Sequence, residues 1–352
     1  MTSHPTPDAK LLDRVRGLAD LTLCSTREKR YNGGGFDISV AEFHPDDQAR
    51  LRKIYDATKK TYELWLYMRE APNYELMARH LVEQFSESFA TGVHQWGFAT
   101  MAEDRPAHPM LHKVLHDIRG GALVGVTGYA SMLASMNPNP AERKAWVEIA
   151  TLMSRDHAKL IRNAVPDLDP LVREADEGLK IHDIDDFVRK WQSSMLGEGA
   201  RRAQVTVHCD FHGSITNRCL ETSAIDRVLY NYINNAARFT ADGRIDLVIT
   251  AINPGLVRWV VTNAIGPDQQ AWLAERFRDD LRPLFFGGQT RGGHGIGLSN
   301  CADFVAASCG KNPRSAVDEG YLGARVRDGI FHAWFHWPSY QPEDESIPKC
   351  EC

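Results

Sequence analysis

The sequence predicts an α+β multidomain chain: a helical N-terminal region, a helical hairpin that pairs into a four-helix bundle, and an α/β sandwich. Three observations lead there. Apolar residues at Leu111, Leu115, Ile118, Ala122, Val126, Tyr129 and Leu133 recur at a 4-3-4-4-3-4 spacing, the stripe of a bundle helix. Beyond the linker from Pro166 to Pro170 the period changes, and Val205, Val207 and Cys209 alternate with polar residues as in a half-buried strand. A length of 352 residues accommodates two or three units of roughly 100–200 residues each.

Composition narrows the partners. With 43% hydrophobic and 25% charged residues the chain is globular, and Lys+Arg 41 against Asp+Glu 46 leaves a net charge of −5, so no nucleic acid is expected. The seven cysteines lack paired metal-ligand spacing, and Met1 to Pro5 has neither the basic start nor the apolar core of a signal peptide. A reduced, cytoplasmic setting is the expectation. Gly120 to Ala141 is free of charge, but its glycines and Asn137-Pro138-Asn139-Pro140 argue against a membrane span.

Residues 1–104 read as a helical input or docking region. Leu11, Leu12, Val15 and Leu18 suggest a first helix before the flexible Gly33-Gly34-Gly35. His44-Pro45-Asp46-Asp47 offers a helix start, and the apolar run from Leu51 to Leu66 continues to the breaker Pro72. A further helix is expected from Tyr74 to about Phe89. Residues 105–168 form the hairpin: one helix from about Pro109 to Met136, the Asn-Pro-Asn-Pro turn, and a second helix carrying Trp146, Ile149, Met153, His157, Leu160 and Ala164 on one face. Two helices bury little alone, so the hairpin is expected to dimerise, making the chain a homodimer.

Residues 178–340 are the sandwich. A helix from about Ser223 to Phe239 follows the first strand. Ile245, Leu247 and Ile249 lead into the Asn253-Pro254-Gly255 turn and a strand from Leu256 to Thr262, a β-hairpin. A last strand pair runs through Arg325 to Arg327 and Ile330 to Trp337, and residues 341–352 are a tail.

Three blocks carry chemistry. In Leu115-His116-Asp117-Ile118-Arg119-Gly120-Gly121, His116 lies about 100° round the helix from Leu115, toward solvent. A neutral imidazole is a competent nucleophile, and Asp117 can orient the ring or take its proton. Asn231, Asn235 and Arg238 share one helix face; amide oxygens are hard ligands suited to Mg²⁺, and the guanidinium can hold phosphate oxygens. Glycines at 293, 295 and 297 let backbone amides approach a polyphosphate ahead of a helix N-terminus. His108, His112 and His116 repeat every fourth residue, but no carboxylate or cysteine completes a metal set there.

In this order, the blocks resemble the H, N and glycine-rich G2 boxes of bacterial two-component sensor histidine kinases, over about residues 105–340. The resemblance implies a dimerisation and histidine-phosphotransfer domain joined to a gyrase-like ATP-binding domain. His116 would accept the γ-phosphoryl group of ATP and pass it to an aspartate of a cognate response regulator. Asn235 would coordinate Mg²⁺, with Asn231 beside it and Arg238 near the phosphates. Pro267 to Gly292, with Phe285 and Phe286, would be the lid.

One departure bears on the nucleotide. Where relatives end a strand in Asp-x-Gly-x-Gly, this chain reads Asn263-Ala264-Ile265-Gly266-Pro267. Asn263 would accept a bond from the adenine amino group without charge assistance. The alternative is thus a histidine phosphotransferase or pseudokinase scaffold with a degraded nucleotide site; on either reading an upstream sensor protein is a candidate partner of the N-terminal region.

Overall fold

The structure is a computed structural model that describes residues 8–19, 23, 31, 38–70, 110–197, 202–289, 291 and 295–340. Helix α1 (Ala9–Arg16) opens on Asp8, whose side chain accepts from the Lys10 amide. Helix α2 (Pro45–Glu70) begins where the His44-Pro45 signal puts it, with Asp46 and Asp47 in its first turn. The expected helix from Tyr74 lies outside the described residues.

The first hairpin helix is two helices, not one. Helix α3 (Leu111–Arg119) stops at Gly120, and α4 (Gly121–Ser135) starts afresh with Gly121 at φ +49°, in the left-handed region that glycine tolerates. The break frees carbonyls, and neighbours take them. Helix α5 (Pro140–Ala164) supplies His157, whose Nε2–H donates to the Ile118 carbonyl at 2.8 Å. Asn139 and Glu142 form a reciprocal capping box at the start of α5. Gly125 serves close approach: a Cβ there would stand 2.3 Å from Met153 Sδ.

The apolar stripe of the hairpin is covered within one chain. Helix α2 buries Leu51, Ile54, Trp65 and Met68, and its Trp65 carbonyl accepts from Thr151 Oγ1 of α5 at 3.2 Å. Dimerisation is therefore not needed to bury this stripe.

Helix α6 (Pro170–Glu177), strand β1 (Leu179–Asp183) and helix α7 (Ile184–Trp191) lead into the sandwich. Its remaining elements are β2 (Met195–Leu196), β3 (Ala203–Cys209), β4 (Ser214–Arg218), α8 (Cys219–Phe239), β5 (Arg244–Asn253), β6 (Leu256–Ala264), α9 (Pro267–Phe277), α10 (Gly297–Ser308), α11 (Pro313–Asp318), β7 (Leu322–Arg327) and β8 (Ile330–Pro338). Strands β1 and β4 pair by themselves; the main sheet has the order β2-β3-β5-β6-β8-β7, parallel only at β3 and β5.

The period of two sorts side chains onto two faces. Leu247, Ile249, Val257, Trp259, Val261, Phe335 and Trp337 join the main core with α7, α8 and α10. Val248, Val260 and Trp334 point the other way and pack under Val15 and Leu18 of α1 and its trailing residues. Arg258, fully buried on β6, donates to the Val15 and Arg16 carbonyls, both at 2.9 Å, and to Ala19 O at 3.3 Å. It thereby satisfies the carbonyls that end α1. Among the described residues no helix is long and apolar enough to cross a membrane.

Burial lowers the pKa of His157, His182 and His332 to about 4 and of His336 to about 3. Unfolded histidines titrate near 6.5, so between about pH 6.5 and 4 the unfolded chain binds protons the folded one refuses. Stability is full above that window and falls as pH falls through it, by up to about 1.4 kcal/mol per pH unit per histidine. The urea midpoint should be lower at pH 5 than at pH 7, and His157→Gln should flatten the slope. A midpoint that rises on acidification contradicts this reading.

Candidate functional site

A cavity of about 380 Å³ opens where the hairpin meets the sandwich. Seven predicted site residues line it: His116, Asn231, Asn235, Arg238, Asn263, Gly295 and Gly297. Asp117 does not. It turns away from the cavity and is only 6% exposed. Gly293 lies outside the described residues.

Each wall follows from its element. Helix α8 turns Tyr232, Ile233, Ala236 and Ala237 into the core, which leaves Asn231, Asn235 and Arg238 on its less buried side. Asn231 donates from Nδ2 to the Arg227 carbonyl at 2.9 Å, and its Oδ1 lies 2.6 Å from where a Cβ on Gly297 would stand. His116 closes on the same point, with Cε1 at 3.2 Å and Nε2 at 3.3 Å. His116, Asn231 and the start of α10 thus meet at a glycine with no room for a side chain.

His116 is held rather than waving in solvent. Its side chain keeps 22% exposure, and Nδ1 lies 3.3 Å from Asp117 Oδ1. An ionised carboxylate only accepts, so a neutral imidazole that makes this bond carries Nδ1–H and keeps the lone pair on Nε2. The helical-wheel expectation of a solvent-facing histidine gives way because α8 and α10 cover that flank.

The deep end is apolar, with Val261, Ile265, Leu273, Phe285, Phe331 and Ala333 on its walls. Asn263, 4% exposed, donates from Nδ2 to the Ala264 carbonyl at 3.1 Å, so its carbonyl oxygen is what it has left to offer a ligand. Ile265 accepts from Gln270 Nε2 at 2.9 Å, and Pro267 opens α9. The two positions that depart from the glycine pattern therefore build a helix start. Gln269, Trp272, Gln289 and Arg291 complete the rim from the expected lid segment, while Phe286 is 44% exposed.

The donor set suits Mg²⁺ held together with phosphate oxygens: Asn231 and Asn235 bring neutral hard oxygens to the wall. Among the described residues no group of three or more His, Cys, Asp or Glu gathers to hold a metal by protein ligands alone. Sequence reasoning missed the aromatic contribution of Phe331, because a strand with buried residues on both sides does not advertise which one faces a cavity. It also missed Arg227 and Asn300, which pack against Asp117 from elements far away in the chain.

No protein-family model matches the chain, and no curated protein matches it. The solved structures it is similar to include full-length ShkA, determined in complex with AMPPNP: 20% identity over 62% of this chain and 43% of that one, TM-score 0.33. The chain thus spans less than half of ShkA. A mycobacterial sensor histidine kinase, MprB, matches at 16% identity over 46% of this chain and 98% of that one, TM-score 0.27. The histidine kinase domain of a blue-light activated kinase from Erythrobacter litoralis covers 81% of this chain and 94% of its own at 12% identity, TM-score 0.28.

Proposed function

We propose that the chain is a protein histidine kinase that phosphorylates itself on His116 from ATP and passes the phosphoryl group to a response-regulator aspartate. The supporting observation is that His116 and the Asn231/Asn235/Arg238 face line one cavity together with Gly295 and Gly297. A nucleophile, hard oxygen ligands, a cation and a close backbone approach are the parts that phosphoryl transfer needs.

Nε2 of His116 forms the N–P bond as the bond from the γ-phosphorus to the leaving ADP oxygen breaks. The positive charge that develops on the ring meets Asp117 through Nδ1–H. Arg238 and Arg291 offer charge to phosphate oxygens at the rim, and the amides of Gly295 and Gly297 offer donors. Mg²⁺, held by Asn235 with Asn231 beside it, would neutralise charge on the phosphates. The apolar end, with Asn263 as acceptor, takes the base, and Trp272 and Phe285 help to exclude water.

Incubation with γ-labelled ATP and Mg²⁺ tests the proposal. Wild type should take up acid-labile, base-stable label, and His116→Ala and Asn235→Ala should take up none above background. Label on His116→Ala would move the acceptor elsewhere. A second reading, a phosphotransferase or scaffold that does not use ATP, is favoured by Ile265 and Pro267 in place of glycines; a folded wild type without label would select it. A homodimer remains part of the proposal.

A further inference from the structure

Asp117 sits among groups that arrive from the opposite side of the site. Its Oδ1 accepts from Asn300 Nδ2 at 3.4 Å, and its Oδ2 lies 3.5 Å from Arg227 Nε. Asn300 is fully buried on α10 and Arg227 is 4% exposed on α8. Arg227 also donates from Nη2 to the Leu160 carbonyl of α5 and lies over the Phe304 ring at 5.2 Å. Arg227 is therefore anchored independently of Asp117, while Asn300 is confined by burial alone.

The contact with α10 repeats one turn away. Lys113 of α3 pairs with Asp303 of α10 at 2.6 Å. Lys113 and Asp117 are four apart on one helix, Asn300 and Asp303 three apart on the other, so each pair occupies one face. Helix α3 is thus docked by two rungs, one ionic and one between an amide and a carboxylate. Asn300 is not explained as filler. Its carbonyl oxygen has no partner among the described residues, and an apolar residue of similar volume would avoid that cost.

We infer that Arg227 and Asn300 are positioning residues: by holding Asp117 they fix His116 as the Nδ1–H tautomer and aim Nε2 at the cavity. The inference rests on the kinase reading for its consequence, but its geometry does not depend on ATP. A free imidazole favours the proton on Nε2, the form in which Nε2 itself cannot attack. Holding Asp117 from α8 and α10 reverses that preference only while α3 is docked, so the nucleophile is made ready by docking itself.

Nitrogen-15 NMR of the full chain labelled at histidine tests this without nucleotide, the His116 signals being assigned by their loss in His116→Gln. Wild type should show a protonated Nδ1 and a bare Nε2. Asn300→Ala and Arg227→Gln should each shift the population toward Nε2–H, and Arg227→Lys, which keeps the charge, should restore the wild-type pattern. Asn300→Ser replaces Asn300→Ala if that variant does not fold. In labelling assays the first two should lower kcat roughly tenfold. His116 already protonated on Nε2 in wild type, or the Nδ1–H form persisting in both variants, overturns the inference. A wild type that takes no label yet shows the tautomer and its loss would end the kinase reading and leave this one standing.

Discussion

Lys190→Met should destabilise the folded chain by about 3–5 kcal/mol, because it strands two buried carboxylates. Lys190, 3% exposed on α7, donates to Asp156 of α5 at 2.8 Å and to Asp226 of α8. Asp156 and Asp226 are 1% and 3% exposed. Burial opposes ionising Asp156, but Lys190, Arg155 and Lys159 outweigh it and hold its carboxyl below the usual range. Burial pushes Asp226 up. Two acids that share one ammonium in the interior cannot both keep their charge once it is gone.

The loss should appear in urea unfolding at pH 7 as a lower midpoint. Lys190→Met combined with Asp156→Leu and Asp226→Leu should recover most of it, since an apolar replacement of a buried ionic group is often neutral or stabilising. A single variant as stable as wild type would show the three charges to be independent. These groups join the hairpin to the sandwich, alongside Asn163 Nδ2 donating to Ser223 Oγ at 2.6 Å. The triple variant therefore also reports whether ionic contacts are needed to keep the two halves together.

Gly297→Ala should lower the rate of label uptake roughly 100-fold, at a stability cost of about 1–3 kcal/mol for the overpacked contact. A Cβ at this position would stand 2.6 Å from Asn231 Oδ1, closer than atoms tolerate, and 3.2 Å from the His116 ring. Asn231 cannot swing freely because its Nδ2 is bonded to the Arg227 carbonyl. Either the asparagine or the histidine must leave its place, and both belong to the proposed chemistry. Alanine at a helix start otherwise costs the fold little, and it restricts the unfolded chain. Wild-type label uptake by this variant would mean that His116 and Asn231 do not act at Gly297.

Much of the frame was legible because it obeys simple periods. The 4-3-4 stripe located the hairpin, alternation located β3, β5 and β6, and the Asn231/Asn235/Arg238 face was visible as three polar groups on one side of an otherwise apolar helix. The break between α3 and α4 was not read, although Gly120-Gly121 marked it. The stripe continues in register across the pair, and periodicity alone does not notice a left-handed residue. The segment from α6 to α7 went unread, although Ile184, Phe187, Val188 and Trp191 fall at i, i+3, i+4 and i+7 and mark the buried face of α7.

The cover that α1 lays over the outer face of the sheet has no counterpart in the local pattern of β6. Arg258 suggests solvent, yet it is fully buried under α1. The candidate site was legible as to which groups gather in the cavity. The setting of Asp117 was not, because it depends on Arg227 and Asn300, each more than a hundred residues away along the chain. Contacts between side chains of such separation leave no mark in local spacing.

Helix α10 belongs to two structures at once. Its first turn, Gly297 and Leu298, walls the cavity, while Asn300 and Asp303 further along grip α3. Reciprocity follows from thermodynamic linkage. A ligand that binds better when α3 is seated must, by the same factor, tighten the seating of α3. Anything that levers α3 away must loosen the ligand equally, so the start of one helix is where occupancy and docking are counted in a single coupling constant.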